Sequence, residues 1–218
     1  MKVKNHELSA MSDPFGIQFD PKKGQRHGPP TDAGGLPSRA AALAPPVLCI
    51  VGFSGSGKTT VMVGLVAELA RRGLRVGTIK HDAHGFDMDH PGKDSWRHKQ
   101  AGALAAVVSS PRRIGMVMDV DHDHDPLELA ALMPDMDIVL AEGFKRAALP
   151  KIEVFRPENG KPPACRGQAH LLAVVSRADL DWGVTRFSPD DFEHLAEFVM
   201  ARFQLPGQKS IAPDTPIR

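Results

Sequence analysis

Between residues 47 and 205, short apolar runs alternate with longer stretches whose apolar positions recur at helical spacing. Val47-Leu48-Cys49-Ile50-Val51 is apolar at every position, the pattern of a strand covered on both faces in a parallel sheet. After a glycine-rich turn, residues 60–72 place Val63, Val66, Ala67 and Ala70 at helical spacing, and Gly73 stands where a left-handed cap ends a helix. The pattern predicts further strands over 76–80, 105–109, 114–119, 137–141, 152–156 and 171–176. It predicts further helices over 94–102, 126–133 and 189–203, the last with Ser188 as N-cap and Pro189 in its first turn. Alternation of this kind predicts an α/β three-layer sandwich: a mostly parallel sheet with helices on both faces.

The flanks differ. Residues 1–45 are rich in proline and glycine without a sustained period, and carry too little apolar surface to offset the entropy of ordering. They are expected to form a flexible tail, and 206–218 a second one, which leaves 46–205 as a single domain. Within 218 residues, 42% hydrophobic and 24% charged content fit a globular chain that needs no staples. A net charge of +1 gives no global footprint for nucleic acid. No apolar run approaches the ~20 residues that span a bilayer, and the opening MKVKNHELSAMSDPFG lacks the apolar centre of a secretory signal. Cys49 and Cys165 are the only cysteines and are far apart, so a reduced, cytoplasmic protein is expected.

The turn after the first strand carries the chemistry. Gly52-Phe53-Ser54-Gly55-Ser56-Gly57-Lys58-Thr59 matches G-x-x-x-x-G-K-[ST] with a strand before it and a helix after it. Glycines let the backbone turn its N–H groups inward around a phosphate, and the helix N-terminus adds partial positive charge. Lys58 is expected to reach the β- and γ-phosphates and Thr59 to ligate magnesium, with Thr60 closing the binding segment.

A magnesium nucleotide also needs an acid at the end of a neighbouring strand. Glu142, after the apolar run 138–141 and before Gly143, is expected to be that acid, whereas Asp137 sits at the wrong end. The polar segment 80–95 leaves the second strand beside the phosphate loop. There Lys80, Lys93 and Arg97 are candidate anion ligands and Asp89 a candidate magnesium ligand, with a solvated loop whose Asp94 caps the next helix as the alternative. Histidines of this segment and the run Asp119-Val120-Asp121-His122-Asp123-His124-Asp125 offer metal-ligand atoms, yet neither has the spacing of a closed zinc site. The run reads as a solvated acidic turn. After the strand at 171–175, Ser176-Arg177-Ala178-Asp179 is a degenerate form of the guanine-reading [NT]-K-x-D pattern, so Asp179 is either a base ligand or an ordinary turn residue.

GFSGSGKTT, TIKHDAHGFDMDHPGKDSWRHKQAGA, DIVLAEGFKRAALPKIEVFR and LLAVVS, in this order over about 47–180, resemble the molybdopterin-guanine dinucleotide biosynthesis protein B (MobB) family. The resemblance implies a GTPase-like P-loop fold, a homodimer, GTP with Mg2+, slow hydrolysis, and action beside a MobA-type guanylyltransferase that joins GMP to molybdopterin. It supports Gly52, Ser54, Gly55, Ser56, Gly57, Lys58, Thr59 and Thr60 as the phosphate site and Glu142 as the second acid. It adds Lys80, His81, Asp89, Lys93, Asp94, Arg97 and Lys145 as motif residues near it. A dimer would give the strands from 150 onward a place to pair. No water-positioning residue and no arginine finger stand out, which fits weak turnover with Lys58 and Glu142 as the groups acting on it. The alternatives are a metallochaperone using His81, His84, His122 or His124, and a P-loop small-molecule kinase.

Overall fold

The computed structural model describes residues 44–82 and 85–207, with the backbone of two short strands further upstream. Those strands, β1 (Gln18–Asp20) and β2 (Gln25–His27), pair antiparallel within a unit of their own over residues 1–38. Three-residue strands are too short to display a period, and the sequence pattern assigns none there. Apart from them and residues 44–45, the expected tail over 1–45 lies outside the described residues, as does the one over 206–218 except for Pro206 and Gly207.

The second unit starts with β3 (Val47–Val51), α1 (Lys58–Arg71), β4 (Val76–Lys80) and α2 (Asp94–Gln100). A hairpin of β5 (Ala105–Ser110) and β6 (Arg113–Met118) follows, then α3 (Pro126–Ala130), β7 (Ile138–Glu142) and β8 (Lys151–Val154). The chain continues through β9 (Leu171–Val175), β10 (Thr185–Phe187) and α4 (Phe192–Phe203). Six strands form one sheet in the order β10-β9-β8-β3-β7-β4, every neighbouring pair parallel. The predicted α/β sandwich is thus present. The strands from 150 onward pair within the chain's own sheet, with β10 at its edge.

Period-2 geometry divides the central strands between two cores. Leu48 and Ile50 of β3, Ile138 and Leu140 of β7 and Ile152 and Val154 of β8 pack with Leu65 and Leu69 of α1 and Leu195 and Val199 of α4. Val47, Cys49, Val51, Val139 and Ala141 face the other way, onto Ala130 of α3 and Cys165. Among the described residues, that second face is covered by the five-residue α3 and loop side chains such as Trp182 and Met136. Burial pushes the Cys49 thiol up to about 11 and raises Cys165 as well, so both free cysteines stay protonated.

The end of α1 follows the sequence reading. Gly73 donates to the Ala70 carbonyl at 2.9 Å and Leu74 to that of Leu69 at 3.1 Å, the paired bonds of a Schellman cap. The start of α4 does not. Ser188 is a turn residue whose carbonyl accepts from Asp191, and Asp191 is the N-cap, its carboxylate accepting from the His194 N–H at 3.3 Å. Pro189 therefore lies before the helix. α3 ends at Ala130, short of the expected Met133, because the chain tightens into three-residue turns ahead of Pro134. The runs at 105–109 and 114–119 are strands, yet among the described strands they pair with each other alone, around the two-residue turn Pro111-Arg112.

Candidate functional site

β3, β7 and β4 end side by side, and their carboxyl ends carry the site. The loop Gly52–Gly57 leaves β3 and delivers Lys58 as the first residue of α1, with Gly57 in the left-handed region at φ 95°. Gly52 has φ 140°, and a Cβ there would stand 2.4 Å from the Val154 carbonyl oxygen of β8 and 2.8 Å from Ser56 Oγ. No other residue fits at that crossing. Ser56 is buried, its Oγ has no hydrogen-bond partner, and it lies inside the loop against this glycine. An orphaned hydroxyl at that point suits a loop that wraps an anion's oxygens.

Lys58 reaches back across the loop, its Nζ donating to the Phe53 carbonyl at 3.0 Å. The Thr59 hydroxyl lies against Glu142, 3.1 Å from Oε1 and 3.2 Å from Oε2. Glu142 is the last residue of β7, opposite Ile50 of β3 and Lys80 of β4. A hydroxyl and a carboxylate this close are hard oxygen donors of the kind that hold Mg2+ directly or through its waters. The expected second acid is therefore next to the expected magnesium hydroxyl. Asp137, rejected as that acid, sits at strand entry, where its carboxylate accepts the Arg75 backbone N–H at 2.7 Å.

His81 follows Lys80 at the same edge. Its backbone N–H donates to the Glu142 carbonyl at 3.0 Å, its ring meets Phe144 at 4.9 Å between centroids, and its Nε2 lies 2.9 Å from Asp123 Oδ2. Gly143, at φ 101°, passes so near that a Cβ would be 3.1 Å from the His81 Cβ. Lys145 turns back over the loop, its ammonium 4.8 Å from the centre of the Phe53 ring, a cation–π distance. P-loop, Glu142, His81 and Lys145 thus meet at one sheet edge.

Lys80 is paired beside Glu142 at this edge and is exposed. Among the remaining candidates, Lys93, Asp94 and Arg97 are exposed on and just before α2. Asp89 accepts from the Ser95 hydroxyl at 2.9 Å and the His90 N–H at 3.0 Å, while its Oδ2 is buried without a partner. Asp179 is fully exposed and 3.8 Å from Arg186, the arrangement of a turn residue. His84 lies outside the described residues.

The sequence pattern missed two buried ions on β8. Lys151, 1% exposed, donates to the carbonyls of Lys145 at 3.0 Å and Ala147 at 2.8 Å, with Gln168 Oε1 at 3.4 Å. Glu153, equally buried, accepts the Ala164 and Cys165 N–H groups at 2.6 and 2.8 Å. Lys151 therefore fixes the loop that presents Lys145, and Glu153 fixes the segment after β8. Two charged residues at alternate positions of an apolar strand were the available signal. Asn159 was missed too: its Nδ2 approaches the Ser54 carbonyl at 3.5 Å and lies beside Gly55.

Parallel sheet, strand-loop-helix and second acid define the class: a P-loop NTPase-type α/β protein. Within it, the model of the family MobB, "Molybdopterin guanine dinucleotide synthesis protein B", matches residues 47–177, and the chain belongs to that family. The molybdopterin-guanine dinucleotide biosynthesis adapter protein of Escherichia coli (strain K12) is 37% identical over 165 residues, which cover 73% of this chain and 94% of that protein. Its counterpart from Haemophilus influenzae is 36% identical over 160 residues, 71% of this chain and 87% of that one. Among solved structures, Bacillus subtilis MobB aligns with a TM-score of 0.57 at 26% identity, over 74% of this chain and 99% of that one. A MobB homolog from Bacillus stearothermophilus aligns with 0.55 at 27% identity, over 72% and 97%.

Proposed function

We propose that this chain is an accessory protein of molybdenum cofactor biosynthesis that binds GTP with Mg2+ and assists a MobA-type guanylyltransferase in attaching GMP to molybdopterin. The observation that carries the nucleotide half is the contact between Thr59 and Glu142 at the mouth of the phosphate loop. Family membership carries the pathway half, since the relatives are named as adapters of molybdopterin-guanine dinucleotide biosynthesis. Lys58 and the loop amides bind the β- and γ-phosphates, and Thr59 and Glu142 hold the magnesium or its waters. Magnesium, when bound, neutralises phosphate charge. Hydrolysis is slow in this reading, because the sequence offers no distinct water-positioning residue and no arginine finger. Guanine selection rests on the family rather than on Asp179. Two protonated free thiols suit a reducing, cytoplasmic setting.

The test is a fluorescent-GTP titration with and without Mg2+. Wild type is expected to gain at least about tenfold in affinity from magnesium, roughly 1.4 kcal/mol. Glu142→Gln is expected to lose most of that gain while keeping magnesium-free binding. An unchanged magnesium effect in this variant would remove Glu142 from the site.

A homodimer is part of the proposal, and the β5–β6 hairpin supports it. Val107, Val108 and Ile114 are 59%, 57% and 77% exposed, and α2 beside the hairpin buries no residue. A two-stranded ribbon with this much bare apolar surface is marginal by itself, and a second copy of the same hairpin is a self-complementary cover. Sedimentation is expected to give a dimer for wild type and a monomer for Ile114→Arg. A dimer in both would place the interface elsewhere.

A further inference from the structure

Folding changes the meaning of the Asp–His run between β6 and α3. α3 returns Glu128 to the two histidines, so one ligand atom each of His122, His124 and Glu128 lies within 4.8 Å of the others. The imidazoles are adjacent, with centroids 4.2 Å apart and planes tilted by 58°. We propose that His122, His124 and Glu128 form a site for a divalent transition-metal ion of the zinc class, separate from the magnesium position at Thr59 and Glu142.

Ligand type argues for this choice. Two imidazoles and one carboxylate suit zinc, nickel or cobalt, whereas magnesium prefers oxygen donors throughout. Three protein ligands leave a position open for water or a further ligand. Tetrahedral ligands about 2.0–2.1 Å from zinc lie about 3.4 Å from one another, so the group must contract. His122 and Glu128 are exposed, and small side-chain rotations about their existing hydrogen bonds supply the contraction.

Outer contacts already orient the ligands. Asp121 Oδ1 lies 2.7 Å from His122 Nδ1, and with the proton on that nitrogen the neutral ring presents Nε2 as the ligand atom. The Asp125 N–H donates to Glu128 Oε2 at 2.9 Å, and His124 Nδ1 lies 3.3 Å from the same oxygen, which holds the carboxylate beside the histidines. The capping box that starts α3 is therefore also what aims Glu128 at the histidines. On the other side, Asp123 is tied to His81 at 2.9 Å, which pins the turn to the loop after β4.

The experiment is a calorimetric titration of Zn2+ into the full chain, without an affinity tag and with Mg2+ in excess to occupy oxygen-only sites. One zinc per chain at micromolar affinity or tighter is expected. His122→Ala and His124→Ala should each weaken it at least tenfold, and His170→Ala should leave it unchanged. The variant residues are on the surface, and circular dichroism checks that each protein is folded. Absence of heat in wild type, or unchanged affinity in the double variant His122→Ala/His124→Ala, would overturn the site.

Discussion

Lys58→Ala is expected to weaken GTP binding at least about a hundredfold while leaving the folded domain intact. In the protein alone the ammonium makes one hydrogen bond, to the Phe53 carbonyl at 3.0 Å, and the side chain is only half-buried. Its removal costs the fold little. A bound triphosphate, by contrast, loses the cation that the loop supplies. Hydrogen bonds involving charged groups contribute about 1.5–3 kcal/mol each, and a loss of about 2.8 kcal/mol is a factor of a hundred. The measurement is a fluorescent-GTP titration beside a urea melt of the same variant. GTP affinity equal to wild type, with an unchanged urea midpoint, would show that the loop does not hold the phosphates.

Lys151→Met is expected to have the opposite profile, with stability falling by about 2–3 kcal/mol. Methionine preserves much of the volume but none of the donors, so the Lys145 and Ala147 carbonyls lose their buried partner. Each buried polar group left unpaired costs about 1–3 kcal/mol. The charge is also a burden that the wild-type fold carries only because its hydrogen bonds are complete, and relief of that burden keeps the loss from being larger. Urea unfolding followed by circular dichroism reads the effect as a lowered midpoint at unchanged slope. A midpoint equal to wild type would show that the ammonium does not hold this loop.

The sequence made the central sheet legible because its strands are buried on both faces. Five consecutive apolar residues at 47–51, and the runs ending at Glu142 and Val175, fit strands covered on both faces of an α/β core. Glu142 was legible for the same reason: an acid directly after such a run must emerge at the sheet's edge. The β5–β6 hairpin was legible as two strands but not as a separate ribbon, since periodicity reports burial and pleat rather than partner. β10 escaped because three residues, two of them exposed, carry no pattern. α4 began three residues late because Ser188 and Asp191 are both good caps, and local composition does not choose between them.

Side-chain chemistry set by distant backbone was harder still. Nothing around Lys151 in the sequence indicates that the carbonyls of Lys145 and Ala147 will converge on it. Glu128 likewise looks like an ordinary first-turn acid until α3 folds back beside His122 and His124. The block 80–97 went the other way. Its residues carry much of the family likeness, yet of them it is His81 whose backbone and ring are packed against the Glu142-Gly143-Phe144 segment.

The central claim is that the loop from Gly52 to Thr60 binds a nucleoside triphosphate with magnesium. A titration of the wild-type full chain with GTP in Mg2+ tests it most directly. The account predicts saturable binding of one GTP per chain that is lost in Lys58→Ala and displaced by a non-hydrolysable GTP analogue. No saturable binding by the folded wild-type protein, or binding that Lys58→Ala leaves intact, would contradict it.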